Sequence, residues 1–308
     1  MLSRRISIVL AFIGTLSSSA ILTSIFDPFA ATKSFVIVTG AIGLMGYALI
    51  DLVQNRLSLF SKSQQVFFVL LLIFMGAFLA RTVTTSDTNS AIYGVVGRSS
   101  GFLTYLGYVL IFLLSMVYVN LSNFRFLVRG LLIAGFLGSF YSLLEKLGKN
   151  PWKTSKVYEG TSSLFGNPNF SGAFLSLATI LSIWMLTNKS SSTDKWLAGV
   201  TLPLAIYGVY TSKALQGVIS IFIGLTLLIL IKLFQTIKQF GVGALISAGV
   251  IGLVGVLGSL NIGPLASLLY KQSVAERGDM WRTALSMIKE NPIWGVGIES
   301  YGTYFRQF

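Results

Sequence analysis

The sequence predicts an all-α, polytopic transmembrane bundle of about nine spanning helices, with an amphipathic helix in an outer loop. Three observations carry that expectation. Hydrophobic residues make up 54% of the 308-residue chain and charged residues only 11%, with a mean hydropathy of +0.77, whereas a soluble domain carries about 25% charged residues. Apolar runs recur near the roughly 20 residues needed to cross hydrocarbon. The Lys and Arg residues occupy the gaps between those runs and form no continuous basic face, which argues against nucleic acid as a partner despite a formal charge of +13.

In chain order the runs fall at about 6–26, 34–53, 66–80, 101–119, 126–144, 169–187, 195–211, 214–231 and 240–260. Unpaired backbone is costly in hydrocarbon, so each run is expected to be a helix and each polar break to lie at an interface. The first run follows Arg4 and Arg5 and contains Ser17, Ser18, Ser19 and Ala20. A cleaved signal peptide and a retained first helix both fit that pattern, and continuation of the run to Phe26 favours the helix. Residues 1–260 are thus expected to form a transmembrane domain, and 261–308 the start of a large extracytoplasmic loop. The chain reads as the front part of something longer.

Orientation follows from the short loops. Arg4, Arg5, Arg56, Lys62, Arg125, Arg129, Lys189, Lys195, Lys232 and Lys238 fall on one side, which the positive-inside rule assigns to the cytoplasm. The opposite side is basic too, with Lys33, Arg81, Arg98, Lys146, Lys149, Lys213 and Arg277 among its residues. Long loops obey the rule weakly, and an anionic ligand such as a phosphate-bearing lipid would also explain the excess; composition leaves both open. Inside the apolar runs almost no ionisable residue is expected apart from Asp51, which gives an ion-coupled pathway little to work with. Cysteine and histidine are absent, which removes disulfides, thiol nucleophiles, imidazole bases and most transition-metal sites.

Four segments carry candidate chemistry. In GTSSLFGNPNFSGAFLSL, 160–177, Asn167, Pro168 and Asn169 make a turn before a helix, with Asn169 or Ser171 as N-cap. The positive end of that helix suits an anion, and capping alone explains the same residues. In SVAERGDMWRTALSMIKENPIWGVG, 273–297, Ser273 and Glu276 have capping-box spacing and Asn291 with Pro292 ends the helix. Arg277, Trp281, Ala284 and Ile288 then share one face. That pattern fits an interfacial helix with its guanidinium on a lipid phosphate, and equally a plain amphipathic helix. In YGVVGRSSGFLTYLGY, 93–108, Arg98 lies among small residues and either binds or snorkels. The fourth, TSKALQG at 211–217, is a short outer turn with Lys213 and Gln216.

In their order and spacing these segments resemble the O-antigen ligase and polymerase family, bacterial membrane glycosyltransferases that move glycans from a polyprenyl diphosphate carrier. The GNPN turn, TSKALQG, the R-x-x-x-W of Arg277 and Trp281, and NPIWGVG at 291–297 carry the resemblance. It implies a multi-pass protein of the bacterial inner membrane, N-terminus cytoplasmic and C-terminal segment extracytoplasmic, acting in polysaccharide or lipopolysaccharide biosynthesis of the cell envelope. Its partners would be the bilayer, a polyprenyl diphosphate-linked glycan and a glycan acceptor. No cofactor and no metal is implied, because fixed cations stabilise the diphosphate leaving group. Arg277, Arg98 and Lys213 would hold that diphosphate, supported by Trp281, Asn167, Asn169 and Gln216.

Two departures stand out. Lys213 occupies a position where the family commonly has arginine, keeping the charge and losing the bidentate fork. The family's functional histidine, in a His-Asn pair beyond the GVG segment, has no counterpart in these 308 residues, which leaves both the catalytic base and the activity of this chain open. Glu276 and Asp279 neighbour Arg277, but capping and the helix dipole account for them. A transporter or lipid-carrier flippase, and a non-catalytic membrane scaffold, are the alternatives.

Overall fold

The computed structural model describes residues 2–55, 61–152, 159–236, 238–259, 263, 266–269 and 272–305. Among the described residues 78% are helical and none lies in a strand. Each of the nine apolar runs coincides for most of its length with a helix: α1 (Leu2–Ser19), α2 (Ala30–Asn55), α3 (Lys62–Thr84), α5 (Phe102–Tyr118), α6 (Arg125–Lys146), α7 (Pro168–Thr187), α8 (Ser192–Ser212), α9 (Leu215–Thr236) and α10 (Lys238–Ser259). Shorter helices are α4 (Thr88–Tyr93), α11 (Ala266–Leu269) and α13 (Tyr301–Tyr304), and α12 (Gln272–Glu290) is the expected amphipathic helix. Arg56 and the Ser273 side chain lie outside the described residues.

Five helices are long and apolar enough to cross a membrane: Ala30–Asp51, Gln64–Thr84, Arg125–Lys146, Pro168–Thr187 and Leu215–Thr236. Three of the others, α1, α5 and α8, fall short for legible reasons. The α5 helix has 17 residues, while α8 begins with Asp194 and Lys195 and contains Pro203. The α1 helix starts with Arg4 and Arg5 and ends at Ser19, not at Phe26 as the run suggested. Its end is chemical: Ser17, Ser18 and Ser19 donate their hydroxyls to carbonyls of the preceding turn, a bond that competes with helix propagation. Lys33 Nζ then donates to the carbonyls of Ser17, Ser18 and Ala20 at 3.2, 3.0 and 3.2 Å, satisfying acceptors that a helix end leaves open. Lys33, grouped above with the outer-face cations, is therefore committed to the fold.

Residues Met1–Ile221 form one compact unit and Phe222–Phe308 a second. In the first, α1 packs on α2 and α6, α2 on α5, and α6, α7 and α8 pack together. Ile6, Leu10, Leu44, Leu114 and Tyr118 fill one core, and Val128, Leu132, Met185 and Ala198 another. Small residues permit the close crossings, since a Cβ at Gly130 would fall 2.7 Å from the Ala11 carbonyl oxygen. The α3 helix exposes Val66, Phe67, Leu70, Ile73 and Phe74, a surface suited to hydrocarbon.

The expectation that Asp51 is nearly alone among ionisable residues in the apolar runs is corrected. Arg129, inside α6, holds Asp194 of α8 in a two-pronged pair, Nε to Oδ1 and Nη2 to Oδ2, the second at 3.0 Å. Asp51 itself accepts from the Tyr118 hydroxyl at 3.0 Å.

In the second unit, α12 already includes Gln272, which puts Ser273 inside the helix and not at its cap. No acidic residue lies in its first turn, so the dipole account of Asp279 fails; Asp279 pairs with Arg282 at 2.5 Å. The helix ends at Glu290, as Asn291 and Pro292 predict. Trp281, Leu285 and Ile288 are exposed along one stripe while Met287 is buried. The Tyr301 hydroxyl donates to the Met280 carbonyl at 2.8 Å, tying α13 to α12.

Candidate functional site

The start of α7 is built by three adjacent residues. Gly166 takes a left-handed φ of +70°, and a Cβ there would fall 2.5 Å from the Phe29 ring, so only glycine fits. Asn167 is extended and accepts the Asn169 amide at 2.8 Å. Pro168 follows at the first helical position, where a missing N–H costs nothing. Asn167 is thus the N-cap, correcting the expectation of Asn169 or Ser171. Asn169 has another use: its carbonyl accepts from Gln216 Nε2 at 2.5 Å.

That contact joins the GNPN turn to the turn between α8 and α9. Backbones meet there: a Cβ at Gly217 would fall 2.8 Å from the Gly172 carbonyl oxygen. Lys213 ends α8 in a left-handed conformation, φ 56°. Its Nζ meets Glu159 Oε2 at 2.9 Å, with both side chains largely in solvent. The hydrogen bond and charge of Lys213 hold the Glu159 carboxyl below the usual carboxylate range. Just behind, the Thr161 amide donates to the Thr211 carbonyl at 3.1 Å and the two threonine hydroxyls lie 3.0 Å apart.

Glu145, at the end of α6, is the organiser that sequence reading missed. It is buried at 8% exposure and accepts the amides of Ser162 at 3.2 Å and Ser163 at 2.9 Å. Ser163, at φ 52°, donates its hydroxyl to the Gly138 carbonyl at 2.6 Å. One carboxylate therefore fixes the loop that leads from Glu159 to Gly166. Glu145→Ala would strand two buried donors and is expected to cost about 2–4 kcal/mol, with Glu145→Gln closer to the parent because one acceptor remains. Thermal unfolding of the detergent-solubilised protein checks the order; an Ala variant as stable as the parent would refute this role.

Arg98 lies in a turn whose Gly97 amide donates to Asp27 Oδ2 at 3.0 Å, while Asp27 Oδ1 accepts the Ala30 amide at 2.9 Å and caps α2. Gly94 and Gly101 permit backbone contact around it, since a Cβ on Gly101 would lie 2.4 Å from the Gly94 nitrogen. The Arg98 side chain is exposed. Because Asp27 seats the Arg98 turn and Phe29 seats Gly166, the segment before α2 braces both. Arg98, Asn167, Asn169, Lys213 and Gln216 thus share one end of the first unit. Arg277 and Trp281 are in the second, exposed on α12.

An all-helical chain with five helices of membrane-spanning length and apolarity is a multi-pass membrane protein. Residues 200–308 match the family model described as O-antigen ligase, a similarity that agrees with the resemblance read from the sequence. Lys213, Gln216, Arg277, Trp281 and NPIWGVG fall inside the match; Arg98 and the GNPN turn lie before it. No curated protein and no solved structure matches the chain.

Proposed function

We propose that the protein is an O-antigen ligase-like glycosyltransferase that takes a glycan from a polyprenyl diphosphate carrier at the outer face of a bacterial inner membrane and passes it to a glycan acceptor. In this reading residues 1–260 form the transmembrane domain with all nine apolar helices as spans and the N-terminus cytoplasmic, and 261–308 lie outside. The observation that carries it is the family match over 200–308, a segment that contains Lys213 and Arg277.

The chemistry requires cations at the leaving diphosphate, whose charge concentrates as the glycosyl bond breaks. Arg277 supplies a fork that can grip two phosphate oxygens, and Lys213 a point charge. Arg98, on the turn seated by Asp27, is the third cation. Trp281, one turn beyond Arg277, is exposed and would suit the bilayer interface, where indoles are favoured. Asn167, Asn169 and Gln216 keep the Lys213 turn and the α7 start in fixed register.

The reading is tested by titrating the purified protein with a polyprenyl diphosphate and the matching monophosphate. Tighter diphosphate binding, weakened by Arg277→Ala, Arg98→Ala or Lys213→Ala, is the expected result. Equal binding of both lipids, or indifference to all three substitutions, would sink it. A transport reading has less support, since the buried carboxylates Asp194 and Asp51 are each engaged, by Arg129 and Tyr118.

Glu159 adds a further expectation, because its carboxylate pairs with Lys213 and would compete with a diphosphate for that ammonium. Glu159→Gln is expected to tighten diphosphate binding about two- to fivefold, the scale of one exposed ion pair. Lowering the pH should act in the same direction. Glu159 is held below the usual carboxylate range, so it stays ionised through neutral pH and releases Lys213 only as pH falls through its depressed pKa. Binding isotherms for parent and variant check both effects, and weaker binding by Glu159→Gln would count against the arrangement.

A further inference from the structure

Where α1 lies against α2, a groove of about 520 Å³ opens on the surface of the first unit, lined by Arg5, Ile6, Val9, Gly43, Leu44 and Tyr47 among others. Its volume is in the range of small-molecule sites, about 300–1,000 Å³. Arg5 lies near the start of α1 and Tyr47 about two turns before the end of α2, and both line the groove. Ile6 and Leu44 form its buried floor, and Val9 and Gly43 line it beside them.

The polar groups around Arg5 are mostly committed elsewhere. Arg4 stacks on the Phe126 ring at 5.5 Å. Ser3 donates to the Tyr118 carbonyl, and Asn123 donates to Ser3 and to that same carbonyl. Among the described residues no carboxylate, carbonyl or ring engages Arg5, and nothing hydrogen-bonds the Tyr47 hydroxyl. The groove is thus cationic at one end and apolar along its length.

We propose that this groove holds one anionic phospholipid of the surrounding bilayer, with its phosphate on Arg5 and Tyr47 and an acyl chain along Ile6, Val9, Gly43 and Leu44. The arrangement follows the lipid's own polarity along the helix axis. A guanidinium at a membrane interface attracts anionic headgroups over zwitterionic ones, and it forms paired bonds to phosphate oxygens. Gly43 gives the chain its room: a Cβ there would meet nothing within 4 Å. The site shares no residue with the diphosphate-binding set, so its failure would leave the proposed function untouched.

The test is native mass spectrometry of the full chain, delipidated in detergent and titrated with phosphatidylglycerol or phosphatidylcholine of identical acyl chains. Phosphatidylglycerol is expected to be retained about fivefold better, the weight of one interfacial cation. Arg5→Gln should bring that ratio close to one while phosphatidylcholine retention stays unchanged. Gly43→Leu fills open space without a clash and favours the helix, so it should fold and lose both lipids. Equal retention by the parent, a preference that survives Arg5→Gln, or retention unaltered by Gly43→Leu would each overturn the proposal. So would a dimer that Gly43→Leu dissociates without changing lipid retention, since the groove would then hold a second copy of this chain.

Discussion

Arg277→Ala is expected to weaken polyprenyl diphosphate binding by about 10- to 100-fold, the scale of a charge-assisted hydrogen-bonded pair. Arg277 is exposed on α12 beside a stripe of Trp281, Leu285 and Ile288 that is exposed as well. Such a helix lies along a bilayer surface whether or not it binds a ligand, so the two roles must be separated. If Arg277 only anchors the helix, Arg277→Ala and Trp281→Ala should act alike, on mono- and diphosphate lipids equally. If it grips the diphosphate, Arg277→Ala should erase the preference for diphosphate, and Arg277→Lys should restore little of it because an ammonium has no fork. Trp281→Ala should lower affinity for both lipids and keep the preference. Asp279 does not blunt the guanidinium, since it is paired with Arg282. Titrations of the three variants against both lipids decide the matter; a diphosphate preference that persists in Arg277→Ala would remove this residue from the site.

The helices were legible in the sequence because hydrocarbon forces every apolar run into one conformation. Their ends were less so. Continuation of the first run to Phe26 looked decisive, yet three serine hydroxyls and the distant Lys33 ammonium end the helix at Ser19. The GNPN turn was legible as a helix start, and its cap was misplaced by two or four residues, because Pro168 is content at the first helical position and leaves Asn167 outside. The Lys213 turn was visible as a short polar break. Glu145 and Asp27 were not visible as organisers, because a single carboxylate at a helix border looks like any interfacial charge. Their roles arise from amides far away in sequence, at Ser162, Ser163 and Gly97. Glu159 was hidden for the same reason, since its partner lies 54 residues on.

The Arg129 and Asp194 pair gives the largest expected effect on stability, and an asymmetric one. Asp194 is 2% exposed and Arg129 39% exposed. Breaking a buried pair by removing one partner costs about 3–5 kcal/mol, because an uncompensated charge is left behind. Arg129→Ala leaves Asp194 in that position and is expected to cost about 3 kcal/mol, the lower end because water reaches this guanidinium in the parent. Asp194→Ala leaves an arginine that can turn to water or to a lipid phosphate and stack on Phe126, whose ring lies 5.5 Å away. Its cost should be smaller, about 1–2 kcal/mol, mainly from the side-chain hydrogen bonds lost with Arg129. The double variant should be more stable than Arg129→Ala alone, since no buried charge remains. Thermal unfolding of the four proteins in one detergent measures the cycle. An Asp194→Ala variant less stable than Arg129→Ala would mean that the pair is held together by the demands of the arginine, the reverse of what its burial indicates.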